Sequence, residues 1–333
     1  MTTFTAAGRA KRGVARVSFE RILVPLDGSE MEAGILPVAK DLAKRLGARV
    51  DLLAVVDPET TELPSYMPIA PGDPNVGIPA VELEGADEVQ LERIRAATEY
   101  LNSVENSLRE DGLEVDVEAT IGDPAQEIVA KAKRRHTDVI TMATRGRSAI
   151  GRGLLGSVTD KVTHSSAIPL LIVRPAEGGS PEPISRLIVG LDGSRVAEAA
   201  LDPARDLAAS LQVPVLLLRA TAVAAHMAAY GGEPYFAPAD IYGGTDQEAR
   251  GYLDSVAARQ KELGADVDIR VGPGAAHNEI QSAATEQPGS LIVLATRGRS
   301  GLTRWVLGSV TDRIIRSSDG PVLVIPPAIG GWT

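Results

Sequence analysis

Two loops in this chain carry the residue types that hold a phosphate through backbone rather than side chain. "ATRGRSAIGRGLLGSVTD" at 143–160 and "ATRGRSGLTRWVLGSVTD" at 295–312 agree at most positions, and each leads into a helix opening at Ser157 or Ser309. A helix start offers unpaired N–H groups and the positive end of the dipole, and Gly146 and Gly156 let backbone approach an anion closely. The chemistry is a phosphate cradle without a lysine, because no GxxxxGK[ST] motif occurs. Gly151-x-Gly153-x-x-Gly156 spells a dinucleotide fingerprint, but Thr303 and Trp305 replace its first two glycines in the other loop, so the match is a coincidence. Asp27-Gly28-Ser29 and Asp192-Gly193-Ser194 end two further apolar runs, and their aspartates are the candidate metal or water contacts. No general base stands at a recognisable spacing from either, and His136, His164, His226 and His277 show no ligand spacing.

Each of these features also has a purely structural reading. Ser157-x-x-Asp160, Ser309-x-x-Asp312 and Ser29-x-x-Glu32 are capping-box patterns, and Asp27-Gly28 is a turn pair. Their placement in one crevice decides between the readings, and that depends on the elements around them.

The chain is a duplication. "RILVPLDGS" at 21–29 returns as "RLIVGLDGS" at 186–194, both opening long helical segments. β-branched runs at 21–26, 49–56, 113–120, 137–143 and 169–174 alternate with helical patterns, as do runs near Arg186, Val213, Asp266, Leu291 and Pro321. The expected fold is α/β: two tandem, doubly wound, parallel five-stranded sheet domains, Rossmann-like, in the order 3-2-1-4-5. That order makes strands one and four neighbours, so the two loops of each copy face one crevice beyond the carboxyl ends of the strands. "PAEGGSPEP" at 175–183 has linker composition. The expected organisation is a disordered tail at 1–18, domains at 19–175 and 184–333, and a linker at 176–183. The Pro- or Gly-rich inserts at 58–86 and 222–245 read as lids or disordered loops.

Composition bounds the function. The 333 residues are 44% hydrophobic and 23% charged, which is globular and long enough for two cores. With no cysteine, thiolate metal sites, disulfides and cysteine nucleophiles are excluded. A net charge of −10 disfavours nucleic acid and anionic membrane as partners, and no apolar run is long enough to span a bilayer. A cytoplasmic mononucleotide binder fits these limits.

These motifs resemble the universal stress protein family over nearly the whole chain past Ser18. The Gly-x2-Gly-x9-Gly-[Ser/Thr] signature of its ATP-binding members is similar to Ala143-x2-Gly146-x9-Gly156-Ser157 and Ala295-x2-Gly298-x9-Gly308-Ser309, with Asp27 and Asp192 matching too. The resemblance implies a pocket in which Pro25, Leu26, Asp27 and Val55 hold the adenine and ribose end. Met142, Gly146, Gly156, Ser157, Val158 and Thr159 would surround ribose and phosphates. In the second copy the matching positions are Gly190, Leu191, Asp192, Ala220, Leu294, Gly298, Gly308, Ser309, Val310 and Thr311. Ala143 and Ala295 depart from the family's first glycine, and Arg145 and Arg297 beside them are within reach of phosphate oxygens.

The implied function is an ATP-binding stress-response regulator with one pocket per domain, ATP being taken with or without Mg, and with a protein partner that the sequence does not identify. Alternatives are a slow ATPase or adenine-nucleotide hydrolase, and a nucleotide-free dimerising adaptor. Val55 offers adenine more apolar contact than Ala220, which favours the first pocket. The last strands are apolar runs at sheet edges, so the two copies are expected to pair through them as an intramolecular dimer, with further dimerisation of the chain left open.

Overall fold

The computed structural model describes residues 19–29, 32–59, 88–143, 155–174, 182–221, 246–296 and 307–326. The 1–18 tail, nearly all of both long inserts, most of the linker, and Arg145, Gly146, Arg297 and Gly298 lie outside the described residues.

Strand and helix alternate through both copies. The first contains β1 (Arg21–Pro25), α1 (Glu32–Leu46), β2 (Arg49–Val56), α2 (Glu88–Glu110), β3 (Val115–Ile121), α3 (Pro124–Arg134), β4 (Val139–Ala143), α4 (Ser157–Ser165) and β5 (Leu170–Val173). The second contains β6 (Arg186–Gly190), α5 (Arg195–Glu198), α6 (Leu201–Leu211), β7 (Val215–Ala220), α7 (Asp246–Glu262), β8 (Val267–Gly272), α8 (Ala276–Glu286), β9 (Ser290–Ala295), α9 (Ser309–Ser317) and β10 (Val322–Ile325). The helix expected to open the second copy is broken in two. Ala199 and Ala200 make tight backbone bonds back to Val196 and Ala197, both 3.1 Å, and Pro203 then falls in the first turn of α6, where its missing N–H costs nothing.

Within each copy the strands are parallel in the order 3-2-1-4-5, and the two halves join into one ten-stranded sheet, β3-β2-β1-β4-β5-β10-β9-β6-β7-β8. The seam is antiparallel, with Val322 opposite Ile172, Leu323 opposite Leu171 and Val324 opposite Leu170. Pairing the two apolar edges removes a row of open backbone groups from each half. Side chains reinforce the seam. Arg45 at the end of α1 donates to the Ile184 carbonyl at 2.6 Å and to the Leu211 carbonyl, at the C-terminus of α6, at 2.7 Å. Leu211 is the last residue of α6, so its carbonyl has no partner within the helix and the guanidinium supplies one. Arg174 donates to the Arg316 carbonyl, and the Arg316 side chain lies 3.8 Å from Asp160.

Because helices cover both faces, the middles of the central strands are continuous apolar runs: Ile22, Leu23 and Val24 in β1, and Leu187, Ile188 and Val189 in β6, are fully buried. Alternate residues feed two cores that each run through both copies. Ile22, Val24, Leu187 and Val189 pack under α1, α2, α6 and α7. Leu23, Ile140, Ile188 and Ile292 pack under α3, α4, α8 and α9. Each fully buried Leu or Ile contributes about 1.5–3 kcal/mol, so the sheet is the rigid platform on which the loops at its carboxyl ends are mounted.

Candidate functional site

The first and fourth strands of each copy are hydrogen-bonded neighbours, with Ile22 against Val139 and Val189 against Val293, so both motifs of each copy end on one side of the sheet. At the end of the first strand the chain is fixed by the same backbone bond in both copies: Leu26 N–H donates to Leu53 and Leu191 N–H to Leu218, each at 2.8 Å. The aspartate that follows folds its own turn. Asp27 Oδ1 accepts from the Ser29 N–H at 3.0 Å, and Asp192 Oδ1 from the Ser194 N–H at 2.9 Å. The glycine between them has φ of 75° at Gly28 and 87° at Gly193, the left-handed region that a side chain disfavours. The turn reading of these residues therefore holds. In the second copy Ser194 goes on to cap α5, its Oγ accepting from the Ala197 N–H at 3.1 Å.

The capping reading of Ser157 and Ser309 does not hold. The N-cap residues of α4 and α9 are Gly156 and Gly308, neither helix has a side-chain cap, and both serines are exposed at the first helical position. Among the described residues, the first-turn N–H groups thus meet no capping side chain. Neither glycine is required by backbone: φ is −57° at Gly156 and −64° at Gly308. Among the described residues, a Cβ at Gly156 would meet Thr159 Oγ1 alone, at 3.7 Å, and one at Gly308 Thr311 Oγ1 alone, at 3.9 Å. The described elements around both glycines leave room for a side chain where both copies have none. Each threonine instead staples its helix start to the end of the fourth strand, Thr159 Oγ1 donating to the Ala143 carbonyl at 3.0 Å and Thr311 Oγ1 reaching the Ala295 carbonyl at 3.4 Å.

In the second copy these elements enclose a cavity of about 180 Å³. Gly190, Leu191, Asp192, Ala220, Leu294, Ala295, Gly308, Ser309, Val310 and Thr311 all line it. Every described position that the sequence pointed to in this copy is thus brought to one place. Ser194, Val196, Ala197, Leu218, Ala276 and Ile280 line it as well, and sequence reasoning missed them. Ala276 and Ile280 had a legible signal, since they stand four apart on one face of α8 and Ile280 repeats Ile128 of the first copy. The floor is tight: a Cβ on Gly190 would approach Leu294 Cδ2 to 2.7 Å and Ile280 Cδ1 to 3.0 Å. Pro25 holds the matching position in the first copy. There Pro25 ends β1 and Leu26 and Asp27 follow it, Val55 lies near the end of β2, and Met142 and Ala143 end β4. Gly156, Ser157, Val158 and Thr159 form the start of α4, and Val55, Met142 and Val158 share the core beneath that helix. Among the described residues no three His, Asp or Glu side chains converge as a metal site. No helix among them is long and apolar enough to cross a membrane.

The profile of the Universal stress protein family matches residues 18–174 and again 183–326, nearly the whole chain in two consecutive copies. The chain belongs to the universal stress protein family. A universal stress protein of Mycolicibacterium smegmatis is 26% identical over 310 residues, covering 92% of this chain and 97% of the relative. One from Methanocaldococcus jannaschii is 32% identical over 157 residues, 47% of this chain and 82% of its own length. Among solved structures, the crystal structure of a universal stress protein from Archaeoglobus fulgidus superposes with a TM-score of 0.69 at 21% identity, covering 92% of this chain and 98% of that one, a likeness of fold.

Proposed function

We propose that this tandem universal stress protein is a stress-response regulator with one ATP pocket at the carboxyl end of each five-stranded half. The observation that carries the reading is the paired helix start. Gly156 and Gly308 have ordinary backbone angles and, among the described residues, room for a side chain, yet both copies keep glycine ahead of a helix whose first-turn N–H groups meet no capping side chain from those residues. Backbone N–H groups at a helix terminus bind anions, and a bare glycine lets a phosphate come close. The apolar lining of the second cavity, Leu218, Ala220, Ile280 and Leu294, suits a flat base and the ribose face beside it. Asp192, at the cavity edge, offers carboxylate to ribose hydroxyls, while its Oδ1 already shapes the turn. Arg145, Gly146, Arg297 and Gly298 belong, in sequence, to the loops that precede these helices. The chain's residues bind and orient the nucleotide; Mg, when present, would come with its phosphates.

Mass spectrometry of small molecules released from the purified chain tests the proposal. Adenine nucleotide is expected in the released fraction or, if purification strips it, after incubation with ATP. A chain that yields none and takes up neither ATP nor AMP at millimolar concentration would instead be a nucleotide-free dimerising adaptor.

A further inference from the structure

Behind the 192–198 segment of the second copy lies a polar cluster that takes no direct part in the cavity. The Tyr252 hydroxyl on α7 donates to Glu198 Oε1 at 2.9 Å, and Arg259 Nη2 donates to Glu198 Oε2 at 3.4 Å. Arg219, on β7, stacks over the Tyr252 ring with its Cζ 4.9 Å from the centroid. The same guanidinium also lies against the turn: a Cβ on Gly193 would stand 3.4 Å from both Nη1 and Nη2. Arg219 makes none of the ion pairs found among the described residues, so stacking and the turn are what hold it. Burial, together with the bond to Glu198, keeps the Tyr252 hydroxyl protonated well above the ordinary tyrosine range.

The cluster touches both ends of a segment that builds the cavity. Arg219 backs Gly193, between the lining residues Asp192 and Ser194, and Glu198 terminates α5, whose Val196 and Ala197 line the same cavity. In the first copy the matching positions hold Ala33, Ala54 and Ser107, and Tyr100 alone is kept. We propose that Tyr252, Glu198 and Arg219 form a brace that fixes the 192–198 segment before ligand arrives, making the second pocket the tighter and slower-releasing of the two. This rests on the nucleotide reading above, and it reverses the order that Val55 against Ala220 suggests. A segment already in its bound geometry loses less entropy on binding, and related sites differ mostly in their release rates. These are positioning residues, acting on the ligand through the turn and α5.

The test uses the full chain with one pocket silenced at a time, Gly156→Val to isolate the second pocket and Gly308→Val to isolate the first. In the Gly156→Val background, Tyr252→Phe and Arg219→Ala should each weaken ATP binding about tenfold, the scale of one lost hydrogen bond, through faster release seen in stopped flow. Arg219→Lys, which keeps the charge without the planar stack, should recover only part of that loss. The same substitutions in the Gly308→Val background should leave ATP affinity unchanged. A readout without ligand accompanies these: amide hydrogen exchange at 193–200 should quicken in Tyr252→Phe while the melting curve stays in place. Normal ATP binding with unaltered exchange and affinity in both variants overturns the brace alone. Equal losses in both backgrounds overturn it too, since the cluster belongs to one copy. Absence of ATP binding in both backgrounds overturns the nucleotide reading and the affinity claim with it.

Discussion

Beneath α3 of the first copy, β2 buries Asp51 at 2% exposure, with Arg21 Nη1 3.4 Å away and one carboxylate oxygen, Oδ1, without a hydrogen-bond partner. Lys131 of α3 is buried beside it and pairs with Glu118, while Arg135 lies 3.6 Å from Asp116 and 3.8 Å from Glu118. The matching positions of the second copy are Leu216 for Asp51 and Ala283 for Lys131, both buried and apolar, and Arg270 for Glu118 turns out to Glu286 at 2.6 Å. The opposite end of the sheet behaves differently. There the two copies keep the same backbone bond, the same aspartate turn and the same bare glycine at the helix start, with distances agreeing to 0.1 Å in the first two. Where only packing constrains the sheet, an ionic cluster in one copy stands in the place of an apolar core in the other. Where the proposed ligand would sit, the backbone geometry has been held. The brace behind Gly193 is the exception on that side, and it separates the two pockets.

The largest test of this comparison is to break the ionic cluster. Glu118→Gln leaves the Lys131 ammonium buried without its nearest counter-charge, and the chain should lose about 3–5 kcal/mol of stability in denaturant titration. A loss below about 1 kcal/mol would mean the cluster is no more than a solvated face.

A smaller effect follows from proton linkage. Burial, with Arg135 adding to it, pulls the Lys131 pKa down from 10.5 to about 8. Between those values the unfolded chain holds a proton that the folded chain has released, so stability rises with pH across that window, by at most about 3 kcal/mol. Burial raises the pKa of Asp51, with Arg21 opposing it, so this carboxylate contributes in the other direction: stability falls as it ionises. Melting temperature measured from pH 7 to 10 should climb more in the wild-type chain than in Lys131→Met. Parallel curves would show that the lysine is not desolvated.

How far the sequence disclosed this molecule follows from the kind of signal each part leaves. The sheet order was legible because the repeat doubles every strand and helix, and because β1 and β6 read as unbroken apolar runs, the mark of a strand covered on both faces. The aspartate turns were legible from Asp27-Gly28 and Asp192-Gly193 alone. Ser157 was misjudged by one position: its type suggested a cap, but the extended backbone that defines the N-cap belongs to Gly156. The cluster around Asp51 left no pattern, since a single aspartate in an apolar strand looks like noise and its partners lie at least 30 residues away in the chain. The brace was hidden for the same reason, because Tyr252 and Glu198 meet across 54 residues and Arg219 follows directly on the three leucines of β7.

The central claim is that two glycine-capped helix starts hold one nucleotide each, and calorimetric titration of ATP into four full-length chains tests it most directly. The wild type should bind two ATP, Gly156→Val and Gly308→Val one each, and the double variant none. Each lost site should weaken by at least about a hundredfold, the equivalent of one or two charge-assisted hydrogen bonds. Melting should fall by no more than the cost of a poorer cap, about 1 kcal/mol per site, because φ near −60° and a Cβ position left open by the described residues accept a side chain at both glycines. A double variant that melts as expected and still binds two ATP, or a wild-type chain that binds no adenine nucleotide at millimolar concentration, would contradict the account.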